Sequence, residues 1–190
     1  MQKSKLRLIA FVLIVVVLFI FICLKNQDSG GHKGKDNSMI EMQTNGDNSF
    51  VLHDNYPMTD EIGRKIKYNA DNSDVQGYIE FTITSKSNVG TNYELYLIQD
   101  NLEKSLHPNY LKVYLTDENN KALPGFDDLS VPTFYNLRVS SLNPAARRIY
   151  YGYLDAGESR SFILRTWIGD AYTVSSVSKQ FGAKLYVEVD

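Results

Sequence analysis

Residues 75–84 read VQGYIEFTIT, and this stretch decides the fold class of the chain. Its apolar residues alternate with polar ones, so that Ile79, Phe81 and Ile83 share one face of an extended backbone. A period of two residues is typical of a β-strand with one buried face and one wet face. We therefore expect a half-buried strand here.

The same alternation recurs through the following hundred residues. Further strands are expected over 93–99, 110–116, 148–154, 161–168 and 183–189, with weaker candidates at 65–68 and 136–139. Turn-forming residues separate them, as at 87–90 (SNVG), and only 101–106 and 171–180 have a helical composition. Seven or eight short strands joined by hairpin-type turns predict an all-β fold over residues 50–190, an antiparallel β-sandwich of the jelly-roll or immunoglobulin-like kind.

The N-terminal residues have a different composition. Residues 8–24 are an unbroken run of 17 apolar residues, and a helix of that length reaches roughly 26 Å, enough for a slightly thinned bilayer. No A-x-A-like cleavage site follows, which favours an uncleaved signal anchor over a cleaved signal peptide. A buried core helix would show a polar stripe, and this run has none, so that interpretation is disfavoured. Lys3, Lys5 and Arg7 in the tail 1–7 predict a cytoplasmic N-terminus and an extracytoplasmic folded domain.

Two neighbouring features complete this end of the chain. Cys23 has two interpretations, a lipid-modified cysteine or an apolar residue at the end of the anchor, and the large Ile20, Phe21 and Ile22 before it favour the second. Residues 25–49 are rich in Gly, Asn, Asp and Ser and are expected to form a flexible stalk, because they bury too little apolar surface to offset chain entropy.

The composition and motifs exclude several function classes. The 190 residues include 20 basic and 22 acidic ones, and acidic residues predominate after residue 50, so no positive field favours nucleic acid. The three His and one Cys have no zinc spacing, and no nucleophile elbow, Walker loop or dinucleotide motif occurs. We therefore expect no catalytic residue, no cofactor and no metal site, with a Ca²⁺ loop or a hydrolase site of dispersed residues as alternatives. The acidic pairs suited to such a loop are Asp71/Asp74, Asp117/Glu118 and Asp127/Asp128.

The chain is rich in tyrosine, with 13 residues, all after residue 50. Tyrosine suits a half-wet strand because its ring packs while its hydroxyl reaches water, so cross-strand packing explains most of them. The functional alternative is an aromatic binding face, for which the candidates are Tyr150, Tyr151, Tyr153 and Trp167.

Five segments carry a resemblance to a known group of proteins. They are YPMTDEIG at 56–63, YIEFTIT at 78–84, GTNYELYL at 90–97, LDAGESRSFILRTWI at 154–168 and KQFGAKLYVEV at 179–189. In this order they resemble the TasA/camelysin group of small extracytoplasmic β-sandwich surface proteins of Gram-positive bacteria. The resemblance implies a jelly-roll-like sandwich with a structural, adhesive or matrix role. The chain departs from the group in having no cleavage site and no metal-ligand pattern, so no catalytic residue is carried over.

These observations predict a membrane-anchored cell-surface structural or interaction protein without catalysis. It would contact the lipid bilayer through residues 8–24 and, outside the cell, other copies of itself, other surface proteins or a wall or matrix polysaccharide. Residues 183–189 are the candidate strand for pairing with a neighbouring subunit. The alternative is a glycan-binding surface module that uses exposed Trp and Tyr side chains.

Overall fold

The computed structural model describes residues 39–69, 71 and 76–189. The predicted tail, the anchor at 8–24 and most of the stalk lie outside them, and within them no helix is long and apolar enough to cross a membrane. The strands are β1 (Ile40–Thr44), β2 (Ser49–His53), β3 (Gln76–Ser85), β4 (Thr91–Gln99), β5 (Leu111–Asp117), β6 (Arg138–Val139), β7 (Ala146–Leu154), β8 (Ser159–Ile168) and β9 (Gln180–Val189). The helical elements are a four-residue helix, α1 (Asp60–Gly63), and two 3-10 turns, Pro108–Tyr110 and Phe134–Asn136.

The strands form two antiparallel sheets. One has the order β1-β3-β8-β5 and the other has the order β2-β9-β4-β7-β6. Their inner faces share one apolar core, in which the ring of Tyr150 on β7 lies 5.8 Å from that of Phe162 on β8. The prediction of an all-β sandwich is therefore confirmed.

The strand that decided the fold class lies at the centre of the four-stranded sheet. Ile79, Phe81 and Ile83 are each at most 3% exposed, as their spacing predicts. Phe81 is the partner of Phe162 in the β3–β8 ladder, and the two rings stack at 5.2 Å. Burial of side chains of this size stabilises a fold by about 1.5–3 kcal/mol each, so the three together contribute several kcal/mol to the core.

The prediction of hairpin-type connections is wrong. Among the nine described strands, only β6 and β7 are both consecutive in sequence and adjacent in one sheet. Every other connection carries the chain to the opposite sheet, as the five residues between β3 and β4 do. Turn residues mark where the backbone reverses, but the same Gly and Asn chemistry serves a hairpin and a bridge between sheets about 10 Å apart.

The predicted boundary between stalk and domain at residue 49 is also wrong. Residues 39–49 belong to the same compact unit as the rest of the domain. Residues 40–44 form β1, which pairs with β3 and buries Ile40 to 2% exposure. The apolar residues here are too few to give a recognisable period, and the strand forms because a core strand accepts it as a neighbour.

The two helical candidates, 101–106 and 171–180, adopt irregular structure up to the start of β9. Leu106 is buried, and the hydroxyl of Tyr172 donates to the carboxylate of Asp54 at 2.5 Å. These long-range contacts determine the path of both segments and override local helical preference. The weak strand candidate at 65–68 is likewise irregular, whereas 136–139 overlaps the two-residue β6.

The edges of the sheets differ in how they are covered. The open side of β5 is covered by the segment that follows it, through bridges of Lys112 with Thr133 and of Thr116 with Ala122. The strand β9, expected to be free for strand addition, lies between β2 and β4. β2 pairs with Gln180–Lys184 only, whereas β4 pairs with Ala183–Val189. Within the strand predicted at 183–189, the first residues are therefore interior, and 186–189 have no described strand on the β2 side.

Candidate functional site

The predicted aromatic face is not assembled as one surface. Trp167 lies on the outer face of the four-stranded sheet, where α1 covers it completely, so it is 0% exposed. Tyr151 and Tyr153 lie on the other sheet and are 47% and 50% exposed, while Tyr150 is half-buried against the core. The inclusion of Trp167 in an exposed face is thus wrong, because strand alternation identifies an outward position but not a helix that packs over it.

Strand β7 has a bare edge. Its only partner on that side is the two-residue β6, which pairs with Arg147 and Arg148. No described strand pairs with 149–154 on this side. Along β4 the peptide groups alternate in direction: Gln99 donates its backbone N–H towards β7, and Asp100 donates towards β9. Even-numbered residues of β4 therefore face β9, among them the ladder partners of Tyr151 and Tyr153. It follows that the peptide groups of Tyr151 and Tyr153 point away from β4, towards the bare edge.

A polar cluster supports the start of this edge. Arg148 forms an ion pair with Glu94, which also accepts the hydroxyl of Tyr96. Burial alone would raise the pKa of Glu94, but hydrogen bonds from Tyr96 and Arg148 hold that pKa below its usual range. The ring of Tyr96 stacks on Tyr186 at 5.3 Å, and the Arg148 guanidinium lies 6.0 Å from the ring centroid of Tyr151. The edge is therefore rigidly presented.

The larger depressions lie on the outer face of the four-stranded sheet. Two of them, of about 480 Å³ and 610 Å³, share Glu80, Glu118 and Ile163, so they form one continuous groove, which we call the outer groove. One end is lined by hydroxyl, amide and carboxylate groups: Gln43, Thr44, Asn45, Glu80, Thr82, Glu118 and Ser161. The other end is basic and aromatic: Arg64, Lys65, Lys67, Tyr68, Tyr78, Asn120 and Arg165.

Arg165 is a buried cation in the floor of the outer groove. It is 4% exposed, and its guanidinium donates only to neutral acceptors: Ile66 O at 2.7 Å, Thr116 Oγ1 at 3.1 Å, and Asn120 Oδ1. Burial lowers the pKa of Arg165, although an arginine stays charged in proteins. No carboxylate of the described residues forms a direct ion pair with it. Its charge is compensated by these dipoles, by the ring of Tyr78 at 5.5 Å and, without direct contact, by the carboxylate of Glu80.

Two tyrosines border the basic end of the outer groove. Tyr78 is half-buried and donates its hydroxyl to Glu80 Oε1 at 2.5 Å, and burial together with that carboxylate raises the pKa of Tyr78 to about 12. Tyr68 is 71% exposed, and its ring lies 6.4 Å from that of Tyr78 at an angle of 58°. Sequence reasoning missed this site because its residues come from four separate segments.

The acidic pairs considered for Ca²⁺ have local backbone roles. Asp117 Oδ1 accepts the N–H groups of Asn119 and Lys121, each at 2.9 Å, and Asp127 Oδ1 accepts that of Gly125 at 3.2 Å. The pair Asp71/Asp74 lies partly outside the described residues. Within residues 39–69, 71 and 76–189 there is no group of three or more His, Cys, Asp or Glu placed to hold a metal ion.

The described residues define an all-β sandwich with an outer groove and with several open strand edges, those of β1, β2, the end of β9 and most of β7. No family model matches the sequence, and no curated protein matches it. Eight solved chains match in structure, among them the VP2 subviral particle of infectious bursal disease virus, at 10% identity and a TM-score of 0.32. That alignment covers 81% of this chain and 36% of the VP2 chain, and a likeness this weak supports no argument about function.

Proposed function

We propose that the chain is a membrane-anchored cell-surface protein with a structural or adhesive role, which associates with copies of itself through the bare edge of β7. Anchoring through residues 8–24, an extracytoplasmic domain and membership of the TasA/camelysin group belong to this proposal. The apolar run and the quoted segments support these three parts. The absence of catalysis also belongs to this proposal, on the ground that the sequence contains no recognised catalytic motif.

The observation that carries the proposal is the unpaired backbone of 149–154. An open strand edge with outward N–H and C=O groups is a template for another strand, and soluble proteins usually protect such edges. The edge of β5 is covered, whereas the edges of β1, β2 and β7 have no described strand beside them. β7 is distinguished from the other two open edges by its exposed tyrosines. Two half-exposed tyrosines, Tyr151 and Tyr153, flank Gly152 there and would gain packing in an extended sheet.

The charges along β7 favour a second copy of the same strand as the partner. Arg147 at the start of the strand and Asp155 just after its end form no ion pair with a described residue, whereas Arg148 pairs with Glu94 and Glu158 with Arg160. An antiparallel pair of identical strands brings the basic start of each copy beside the acidic end of the other. Such a two-fold contact is isologous, the usual arrangement of homodimers.

The two-fold symmetry of this contact determines the register in which the two β7 strands pair. Pairing centred on Gly152 puts Tyr151 of one copy opposite Tyr153 of the other, with cross-strand tyrosine pairs on the outer face. These two residues direct their peptide groups outward, so they would form a hydrogen-bonded pair with Cα atoms about 5.5 Å apart. Two Tyr151 residues would be diagonal neighbours about 7–8 Å apart, beyond ordinary disulfide geometry.

Disulfide trapping tests both the contact and the register. In the full chain carrying Cys23→Ser and kept in mild detergent, Tyr151→Cys and Tyr153→Cys are prepared separately and oxidised alone or as a mixture. We expect the mixture to form a mixed disulfide dimer faster than either variant alone. A Tyr68→Cys chain mixed with Tyr151→Cys is the matched control, because Tyr68 is exposed on the other sheet.

A second variant tests the backbone itself. Tyr153→Pro removes an outward N–H that the intramolecular ladder does not use, and proline is tolerated on edge strands. Sedimentation should show concentration-dependent association of the Cys23→Ser chain and its loss in Tyr153→Pro at unchanged circular dichroism. Association that survives Tyr153→Pro, or equal trapping in all mixtures, would refute assembly through β7.

The jelly-roll subdivision of the sandwich is part of the proposal as well. Its support is the alternation of consecutive strands between the two sheets, which is interrupted only at β6–β7. Immunoglobulin-like sandwiches contain more hairpins within one sheet. The glycan-binding alternative based on Tyr150, Tyr151, Tyr153 and Trp167 is not retained, because Trp167 is buried on the other sheet.

A further inference from the structure

We propose that the outer groove binds an acidic oligosaccharide, with a uronate carboxylate at its basic end and sugar hydroxyls at its acidic end. The site is on the four-stranded sheet, so it is independent of self-association through β7 on the other sheet.

The floor of the groove holds a cation whose charge is only partly compensated. Arg165 is 4% exposed, donates one hydrogen bond from each guanidinium nitrogen to a neutral acceptor, and has no carboxylate in direct contact among the described residues. The more distant Glu80 offsets the charge in part, but burial still lowers the pKa of Arg165. A buried charge without a counter-charge is costly, and an arginine fork matches the planar carboxylate geometrically. A ligand carboxylate would supply the missing partner in a site where water screens the attraction weakly.

Three further cations line the same end of the groove, and they differ in whether they have partners. Arg64 donates to the main-chain carbonyls of Asp128 and Leu129, and Lys65 pairs with Glu61 at 2.9 Å. Lys67 is exposed and forms no ion pair with a described residue. Four cations and two carboxylates, Glu80 and Glu118, line this end, so a net positive charge remains there. Lys67 contributes to it from above and the guanidinium of Arg165 from below.

The aromatic rings and the hydrogen-bonding groups of the groove suit a sugar as the rest of the ligand. Tyr68 and Tyr78 present ring faces at the basic end, and such faces pack against the C–H face of a pyranose. At the other end Glu80 and Glu118 are hydrogen-bond acceptors, and Thr82 with Ser161 offers a hydroxyl pair at 2.8 Å. Carboxylates repel a second anion but accept hydroxyl donors, so this end suits a polyol and not a polyanion.

Calorimetric titration tests the proposal with the full chain in mild detergent. The probe is trigalacturonate, compared with its methyl ester, which has the same rings without charge, and with poly(glycerol phosphate), which has charge without rings. We expect trigalacturonate to bind at least tenfold more tightly than the other two, since one charge-assisted contact corresponds to about that factor. No measurable binding of trigalacturonate, or equal binding of its ester, overturns the proposal; preferential binding of the phosphate polymer overturns its sugar part.

Asn120 offers a matched set of variants. It has a positive φ of 63° and accepts a hydrogen bond from Arg165, so Asn120→Asp supplies the buried cation with its own carboxylate. This change should reduce trigalacturonate affinity at least tenfold. Asn119→Asp makes the same change of net charge one residue away, and Asn120→Gly keeps the backbone conformation while leaving Arg165 unneutralised, so both should still bind.

The variants also separate a specific loss from a folding defect. Circular dichroism of each variant shows whether it is folded. Asn120→Gly shows whether the asparagine side chain itself is needed for binding. Tyr68→Ala should weaken binding, whereas Tyr151→Ala on the other sheet should not. Equal binding by Asn120→Asp and Asn119→Asp would show that Arg165 is not the anion partner and would overturn the proposal.

Discussion

The contact between α1 and Trp167 makes the replacement of Gly63 by alanine a sharp test of the fold. A Cβ atom at Gly63 would lie 2.1, 2.3 and 2.4 Å from three carbons of the Trp167 ring system. Ordinary carbon contacts are about 3.5–4 Å, so the helix or the indole must move by more than 1 Å. Trp167 is 0% exposed and has no free space to move into.

The magnitude follows from two opposing effects. In an open helix, replacing glycine by alanine stabilises by about 0.5–1 kcal/mol. Overpacking a filled core costs about 1–3 kcal/mol or more, and a clash with a large rigid ring belongs at the upper end of that range. The expected net result for Gly63→Ala is a loss of about 2 kcal/mol, opposite in sign to the helix-propensity expectation.

Urea denaturation followed by circular dichroism measures this loss. Ile62→Ala, in the same helix but 56% exposed, is the control and should change the free energy of unfolding by less than about 0.5 kcal/mol. Trp167→Ala removes all the ring carbons that a Cβ would meet, so Gly63→Ala should cost at least about 1 kcal/mol less in that background. If Gly63→Ala is as stable as the parent, or if the two changes are additive, α1 does not pack on Trp167 as described.

Two further predictions concern buried polar groups. Tyr172→Phe removes the hydroxyl that donates to the buried Asp54 at 2.5 Å, and the unsatisfied carboxylate should cost about 1–3 kcal/mol of unfolding free energy in urea titration. Burial raises the pKa of both Tyr78 and Tyr186 to about 12, whereas the unfolded chain ionises near 10. Their contribution to stability is therefore complete below pH 10 and is lost as the pH rises to about 12, and the urea midpoint should fall over that interval and fall less when both are phenylalanine.

The strands were predictable from sequence where one face is buried and the other is wet. Ile79, Phe81 and Ile83 repeat every second residue because β3 separates core from surface, and that period is readable locally. The strand β1 was missed because it buries little more than Ile40 and Met42, too few residues to show a period. Its existence depends on pairing with β3, in which the partner residues are 37 to 45 positions away in sequence.

The candidate sites were less predictable than the fold. The strand 148–154 was singled out for its tyrosines, and Tyr151 and Tyr153 are indeed exposed. Its bare edge depends on β6 being only two residues long, which is a property of the assembled sheet. The outer groove had one readable indication, the charged Arg165 within the otherwise apolar strand SFILRTWI, but its partners become neighbours only through the topology.

The alternation of strands between sheets also determines when the fold can close during synthesis. Ser49 of β2 pairs with Lys184 of β9, 135 residues later in the chain (184 − 49). The five-stranded sheet therefore cannot be completed until nearly the whole polypeptide has been made. Folds dominated by such distant pairings reach the native state in about milliseconds to seconds, and their unfinished forms expose strand edges and apolar surface to aggregation. A chain stalled or cut before β9 would leave β2 and β4 without their shared neighbour, so we expect newly made copies to depend on chaperones far more than the finished domain does.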